Sequence, residues 1–239
     1  MKLLVDEKGK KYLTDGEELH TDKGVVSLKG KRHGEKAKSH LGHDFTVIDP
    51  RIVDIYEKMQ RAGSLMLKKD IGPILAYTGL GDGDVVVDAG AGSGGLAIFL
   101  GNVVRPNGRV YTYEKNEEFA RIAEKNIEDA GLKDIVVVKV KDIKEGMDEK
   151  ADVITLDMEE AWEVIPHAKE ALGVGGVIAV YNPYIEHAKR VALELKKHGF
   201  KLIKTIECIE REIEFRRQGT RPKTRMVGHT GYLTFGRKI

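Results

Sequence analysis

Val85-Val86-Val87-Asp88-Ala89-Gly90-Ala91-Gly92-Ser93-Gly94-Gly95 decides the fold of this chain, because a β-branched apolar run enters a glycine-dense turn with a carboxylate at its mouth. The valines read as a buried parallel strand, and Leu96-Ala97-Ile98-Phe99-Leu100 continues beyond the glycines as a helix. Strand, glycine turn and helix in this order make the ligand-binding corner of a doubly wound α/β sheet, where glycine lets backbone N–H groups come close to a bound molecule.

Gly90, Gly92 and Gly95 satisfy the dinucleotide spacing G-x-G-x-x-G, so a nicotinamide cofactor fits the turn by pattern. Asp88 separates the alternatives. A carboxylate two residues before the first glycine repels a pyrophosphate and suits a ligand that carries an ammonium group, as S-adenosylmethionine does at its methionine end. Gly90, Gly92, Ser93 and Gly94 are then the loop that meets the ligand.

Two further carboxylates follow at the ends of successive strands. Arg109 to Glu114 forms the second strand, entered through the turn Pro106-Asn107-Gly108, and Glu114 stands where an acid would accept ribose hydroxyls, ahead of a helix from Asn116 to Asp129. The third strand, Ile135 to Val140, leads to Asp142, placed for the adenine amino group. Each acid alone is also consistent with a helix cap.

With these residues in view, the chain resembles the class I S-adenosylmethionine-dependent methyltransferases, and within them the tRNA (adenine-N1) methyltransferases that modify the T-loop. The resemblance runs almost end to end. It rests on Leu19 to Val26, on Arg61 to Asp70, on the loop Asp88 to Gly95, on Leu156-Asp157-Met158-Glu159-Glu160-Ala161-Trp162, and above all on the tail Arg221 to Tyr232, with its Val227-Gly228-His229-Thr230-Gly231-Tyr232. It implies a Rossmann-like, mainly parallel seven-stranded sheet, S-adenosylmethionine as cofactor, an RNA substrate, and a homo-oligomer, typically a tetramer.

Composition agrees. A chain of 239 residues can bury one substantial core and a small satellite. The single cysteine, Cys208, leaves no internal disulfide and no cysteine-based cluster, and no metal is expected. No apolar run is long enough to span a bilayer, and Met1 to Asp6 is charged too early for a signal peptide, so a cytoplasmic protein is expected. Charged residues reach 33% while glutamine occurs only as Gln60 and Gln218, a balance associated with thermophiles. A net charge of +2 announces no nucleic-acid binder by itself, so the case falls on two basic segments. Lys31 and Arg32 lie in one; Arg216, Arg217, Arg221 and Arg225 lie in the other, read as a loop between two strands.

Residues 1–50 read as a small β-rich domain, and 51–239 as the methyltransferase domain, entered through a helix between Pro50 and Gly63. The fourth strand is Val153 to Leu156, closed by Asp157; the fifth is Val174 to Tyr181, followed by a helix from Glu186 to Lys197. Leu202 to Phe215 and His229 to Phe235 are expected to close the sheet as an antiparallel hairpin.

Asp157 is the candidate acceptor for the amino group beside adenine N1, and a second contact to the cofactor. The resemblance is incomplete where the base would sit: Ser64 and Leu67 replace the Gln and the aromatic or His of the family, and Glu159 and Ala161 replace prolines. Asn182-Pro183-Tyr184 meanwhile is similar to the signature of enzymes that methylate exocyclic amines, with Tyr184 stacking on the base. The leading expectation is tRNA adenine-N1 methylation. The alternatives are an exocyclic amine of rRNA, such as cytidine N4, and a non-catalytic RNA-binding subunit.

Overall fold

Runs of valine and isoleucine supply seven strands that form one sheet in the computed structural model, which describes residues 1–239. They are β1 (Val85–Ala89), β2 (Arg109–Glu114), β3 (Val136–Val140), β4 (Ala151–Asp157), β5 (Leu172–Asn182), β6 (Lys201–Glu207) and β7 (Tyr232–Arg237). Their order across the sheet is β3-β2-β1-β4-β5-β7-β6. β1 to β5 run parallel to one another, and β7 alone is reversed, antiparallel to both β5 and β6. The strand order reverses between β1 and β4, and an open sheet of this kind binds its ligand outside the carboxyl ends of the strands at such a point.

Helices α1 (Lys68–Thr78), α2 (Gly95–Val104), α3 (Glu117–Asp129), α4 (Ile165–Ala171) and α5 (Ile185–Lys197) connect or flank the strands. The core on one face joins Val87, Leu156, Ile178 and Val180 to Trp162, Ile165, Val191 and Leu195. Asn116 caps α3 by accepting from the N–H groups of Glu118 and Phe119 at 2.9 and 3.1 Å, which fixes the turn after β2.

The expected closing hairpin is shorter than the apolar pattern suggested. β7 begins only at Tyr232, opposite Glu207, so β6 has no partner beyond that residue. Phe215 belongs instead to a separate hairpin, Ile213–Arg216 paired with Gly219–Pro222.

Contacts divide the chain into two compact units, Met1–Gln60 and Arg61–Ile239. The first contains a four-stranded antiparallel sheet (Lys11–Thr14, Lys2–Asp6, Asp44–Ile48 and Lys36–Lys38, in that order) and a hairpin, Glu18–Thr21 with Gly24–Ser27. Leu4, Val26, Leu28, Phe45 and Val47 form its core. The helix Ile52–Lys58, read from the sequence as the connection into the second domain, lies within this unit, where Lys11 pairs with Asp54 and Glu57 at 2.7 and 3.0 Å.

Candidate active site

The glycine loop is built on the carboxyl end of β1. Gly90 adopts φ +83°, and a Cβ placed on it would lie 1.9 Å from the backbone oxygen of Asp157, so only glycine lets the loop cross the end of β4 this closely. The N–H groups of Gly90 and Ala91 donate to Tyr113 O at 3.1 and 3.2 Å, fastening the loop to β2. Glu114 reinforces the same corner: Oε2 accepts from Gly92 N at 2.9 Å and Oε1 from Asn116 N at 3.0 Å.

Gly90, Tyr113, Glu114, Asp142, Ile143 and Met158 all line one cleft of about 250 Å³. The carboxyl ends of β1, β2 and β3 therefore converge on this cleft. Asp142 also caps the short helix Ile143–Glu145, accepting from Lys144 N at 3.0 Å, so the cap and the cleft-facing position coexist. The cleft is walled by glycine backbone, by the carboxylates of Glu114, Asp142, Glu159 and Glu160, by Lys115, Lys141 and Lys144, and by the apolar Ile143 and Met158. Acceptors beside an apolar wall suit the ribose hydroxyls and adenine of S-adenosylmethionine.

Asp88 is placed differently from the expectation. Its side chain is buried inside the sheet and accepts from Thr112 Oγ1 at 2.6 Å and Thr155 Oγ1 at 2.5 Å, threonines of the strands on either side. Burial pushes its pKa up. Both oxygens are engaged within the protein, so Asp88 braces β1 between β2 and β4 and does not stand open at the mouth of the turn. Ser93 is likewise turned inward: Oγ accepts from Ala62 N at 2.6 Å. Gly92 and Gly94 complete the loop, and Gly94 is the N-cap of α2.

Asp157 ends β4 directly opposite Tyr181 of β5. Burial, together with the charges of Asp88 and Asp70, pushes its carboxyl up to about 7. No protein cation or donor offsets that cost, which sets Asp157 apart from Asp54 and Glu149, both paired with lysines.

Several residues on the Asp157 side were not singled out from the sequence. Asp70 is fully buried, and accepts from Lys69 Nζ at 2.7 Å and Thr230 Oγ1 at 2.8 Å. The same ammonium donates to Cys208 O at 2.7 Å and Thr230 Oγ1 at 2.5 Å, so all three of its protons are used. Thr230 also hydrogen-bonds Tyr181, whose hydroxyl pKa is raised by burial and by the nearby Asp70 and Asp157. Gly231 passes under the Tyr181 ring, where a Cβ would come within 2.5 Å. The tail and the Arg61 to Asp70 segment did carry a signal through the resemblance, yet a bond between residues 160 apart is invisible in a linear reading.

Asn182 does not join Asp157. Side chains alternate along a strand, and Asn182 falls on the face of Val180 and Ile178, opposite to Tyr181. Its amide is buried and has no protein partner. Pro183 O already accepts from His229 Nε2 at 2.8 Å, and Tyr184 is exposed, edge-on to His187 at 5.3 Å. The two acceptors and stacked tyrosine of the amine reading are therefore not assembled.

Of the basic candidates, Arg216 and Arg221 lie in the hairpin strands and both pair with Glu214, at 2.8 and 3.1 Å, so this segment is a paired hairpin, not a loop. Arg217 stands exposed at its turn, and Arg225 is exposed beyond it. In the first unit, Arg32 is exposed and Lys31 half-buried, its carbonyl accepting from Lys2 Nζ at 2.8 Å.

A seven-stranded sheet of this order with one reversed strand, a glycine loop after β1 and acids after β2 and β3 defines a class I S-adenosylmethionine-dependent methyltransferase. The family described as tRNA methyltransferase complex GCD14 subunit matches residues 58–221, and the chain belongs to that family. It is 42% identical to the tRNA (adenine(57)-N(1)/adenine(58)-N(1))-methyltransferase TrmI of Methanocaldococcus jannaschii, over 99% of this chain and 94% of that protein. With the tRNA (adenine(58)-N(1))-methyltransferase TrmI of Thermus thermophilus it shares 30% identity over 97% of its length and 94% of the relative's. Among solved structures, the tRNA (m1A58) methyltransferase TrmI of Aquifex aeolicus aligns at TM-score 0.80 and 26% identity, covering 100% of this chain and 96% of that one. A Thermotoga maritima protein described as a SAM-dependent O-methyltransferase aligns at 0.89 and 33%, covering 100% and 92%. The chain is thus a tRNA methyltransferase with S-adenosylmethionine as cofactor, and none of its helices is long and apolar enough to cross a membrane.

Proposed function

We propose that this enzyme methylates N1 of adenine in the T-loop of tRNA, at positions 57 and 58 as its archaeal relative is named for, with Asp157 holding the base. The observation that carries this reading is a carboxylate at the carboxyl end of β4, beside the glycine loop, left without a hydrogen-bond donor by the protein. S-adenosylmethionine supplies a methyl group activated by a sulfonium and leaves as a neutral thioether. Adenine N1 has an in-plane lone pair and needs no strong base to attack, so the protein's task is to orient the ring and to stabilise the positive charge it acquires. Asp157 serves both needs, accepting from the 6-amino group and setting a negative charge beside the developing cation.

Glu114 and Asp142 hold the ribose and adenine of the cofactor, and the Gly90–Gly94 backbone approaches its amino-acid end. A non-catalytic partner role does not fit a chain that retains Asp157, Glu114 and Asp142 together. The exocyclic-amine reading lacks its acceptors, since Asn182 faces the other way. We place the enzyme in the cytoplasm as a homo-oligomer, a tetramer, with Lys31, Arg32, Arg217 and Arg225 as phosphate contacts. The test is methylation of transcribed tRNA carrying A or G at positions 57 and 58, with labelled S-adenosylmethionine. Label incorporated only where adenine is present at these positions supports the reading; equal incorporation into the doubly substituted tRNA overturns it.

A further inference from the structure

His229 holds two elements of the site together through both of its ring nitrogens. Nδ1 lies 2.6 Å from Glu207 Oε1 at the end of β6, and Nε2 lies 2.8 Å from Pro183 O in the turn after β5. A carboxylate and a peptide carbonyl can only accept. A neutral imidazole carries one N–H and could satisfy only one of them, whereas an imidazolium satisfies both.

The turn that His229 grips is connected to the loop after Asp157. Tyr184 stands edge-on to His187 at 5.3 Å, His187 stands edge-on to Trp162 at 5.0 Å, and Arg190 covers the Trp162 ring at 4.2 Å. Trp162 closes the segment that begins at Asp157. On the other side, His229 packs against Tyr232 at 4.9 Å, and its chain neighbour Thr230 bonds Asp70 and Lys69.

We propose that His229 is a positioning residue for methyl transfer: as an imidazolium it fixes the Pro183–Tyr184 turn to the end of β6 and, through the Tyr184–His187–Trp162 chain, fixes the loop that carries Asp157. The inference rests on the reading of Asp157 as the group that holds the base. Glu207 favours the charged ring and Pro183 O supports it; Lys69, the cation facing it from α1, works the other way but is itself paired with Asp70. The balance raises the His229 pKa above the ordinary 6.5. The clamp is therefore complete below that ordinary value and is lost as pH rises through the raised one.

The test is a ¹⁵N NMR titration of the histidine rings in the full-length protein, with the His229 signals assigned by their absence from His229→Gln, alongside kcat–pH profiles on transcribed tRNA. Both His229 nitrogens are expected to be protonated at pH 7, with Glu207→Gln moving the titration back toward 6.5. His229→Gln should lose kcat on the order of tenfold at pH 7, within the roughly hundredfold that a displacement of about 1 Å can cost, and lose the alkaline limb of the profile while KM for S-adenosylmethionine holds. A His229 with a single protonated nitrogen at pH 7 overturns the proposal. So does a His229→Gln profile that superimposes on the wild type. Should that variant fail to fold, the one ring whose titration Glu207→Gln shifts identifies His229, and the wild-type and Glu207→Gln titrations decide. A wild-type protein inactive on tRNA would refute the functional reading instead, and the titration would still report the state of His229.

Discussion

Asp157→Asn should make the protein more stable and nearly inactive. In the fold the carboxyl is pushed up to about 7, against an ordinary 3.8, by burial and by the charges of Asp88 and Asp70. A folded-state value above the unfolded one means that the folded protein holds its proton more tightly between the two, so stability falls as pH rises through that window and is lowest above 7. At roughly 1.4 kcal/mol per pH unit the full window sets an upper bound of about 4 kcal/mol, and partial solvent access at the crevice brings the expectation nearer to about 2. The asparagine is nearly isosteric and cannot ionise. Thermal unfolding at pH 8 should show Tm raised by about 4–8 °C, and the gain should shrink toward zero near pH 4, where both proteins are neutral at this position. Methyl transfer measured in a single turnover should fall by about 10²–10³, the range for removing one preorganised electrostatic contact to a transition state. Wild-type kcat/KM should rise with pH through about 7 before the alkaline fall set by His229, and the Asp157→Asn variant should lack the rising limb. A variant that is less stable at pH 8, or equally stabilised at pH 4 and pH 8, would refute the claim that the carboxylate is held there at an electrostatic cost.

Gly90→Ala should abolish S-adenosylmethionine binding in calorimetry, because the added carbon meets the Asp157 backbone at 1.9 Å; retained affinity would mean that the loop can shift. Lys69→Met strands the fully buried Asp70 carboxylate and should cost about 3–5 kcal/mol in urea unfolding, with Lys69→Met/Asp70→Leu less affected than the single change. A double variant no better than the single would show that the pair is not the reason. Arg217→Ala should weaken tRNA binding across sequences and lower the slope of log K against log salt by about 1; an unchanged slope would remove Arg217 from the interface.

The sheet was legible where a β-branched or aromatic-rich strand leads into a glycine or carboxylate: Val85 to Gly90 and Arg109 to Glu114 occupy their expected places, and β3 starts one residue after the expected Ile135. Boundaries were less so where pairing, not composition, decides. Ile213 to Phe215 looks like a continuation of β6, and only the start of β7 at Tyr232 excludes it. At the site, Glu114 and Asp142 could be read from position because strand ends define where they point. Asp88 could not, since its role is fixed by Thr112 and Thr155, two threonines from flanking strands whose registers the sequence does not announce. Asn182-Pro183-Tyr184 misled by pattern: a one-residue difference along β5 chooses the face, and it puts Tyr181, not Asn182, beside Asp157. The Lys69–Asp70–Thr230 network was hidden for a related reason, because its meaning lies in contacts across the whole length of the second unit.

Nucleoside mass spectrometry of transcribed tRNA, after incubation with the purified protein and S-adenosylmethionine, reads out directly which atom Asp157 presents for methylation. 1-Methyladenosine is expected, with Asp157→Asn producing almost none. A methylated exocyclic amine in its place, or undiminished 1-methyladenosine from Asp157→Asn, would contradict the assignment of Asp157 as the residue that presents adenine N1 for methylation.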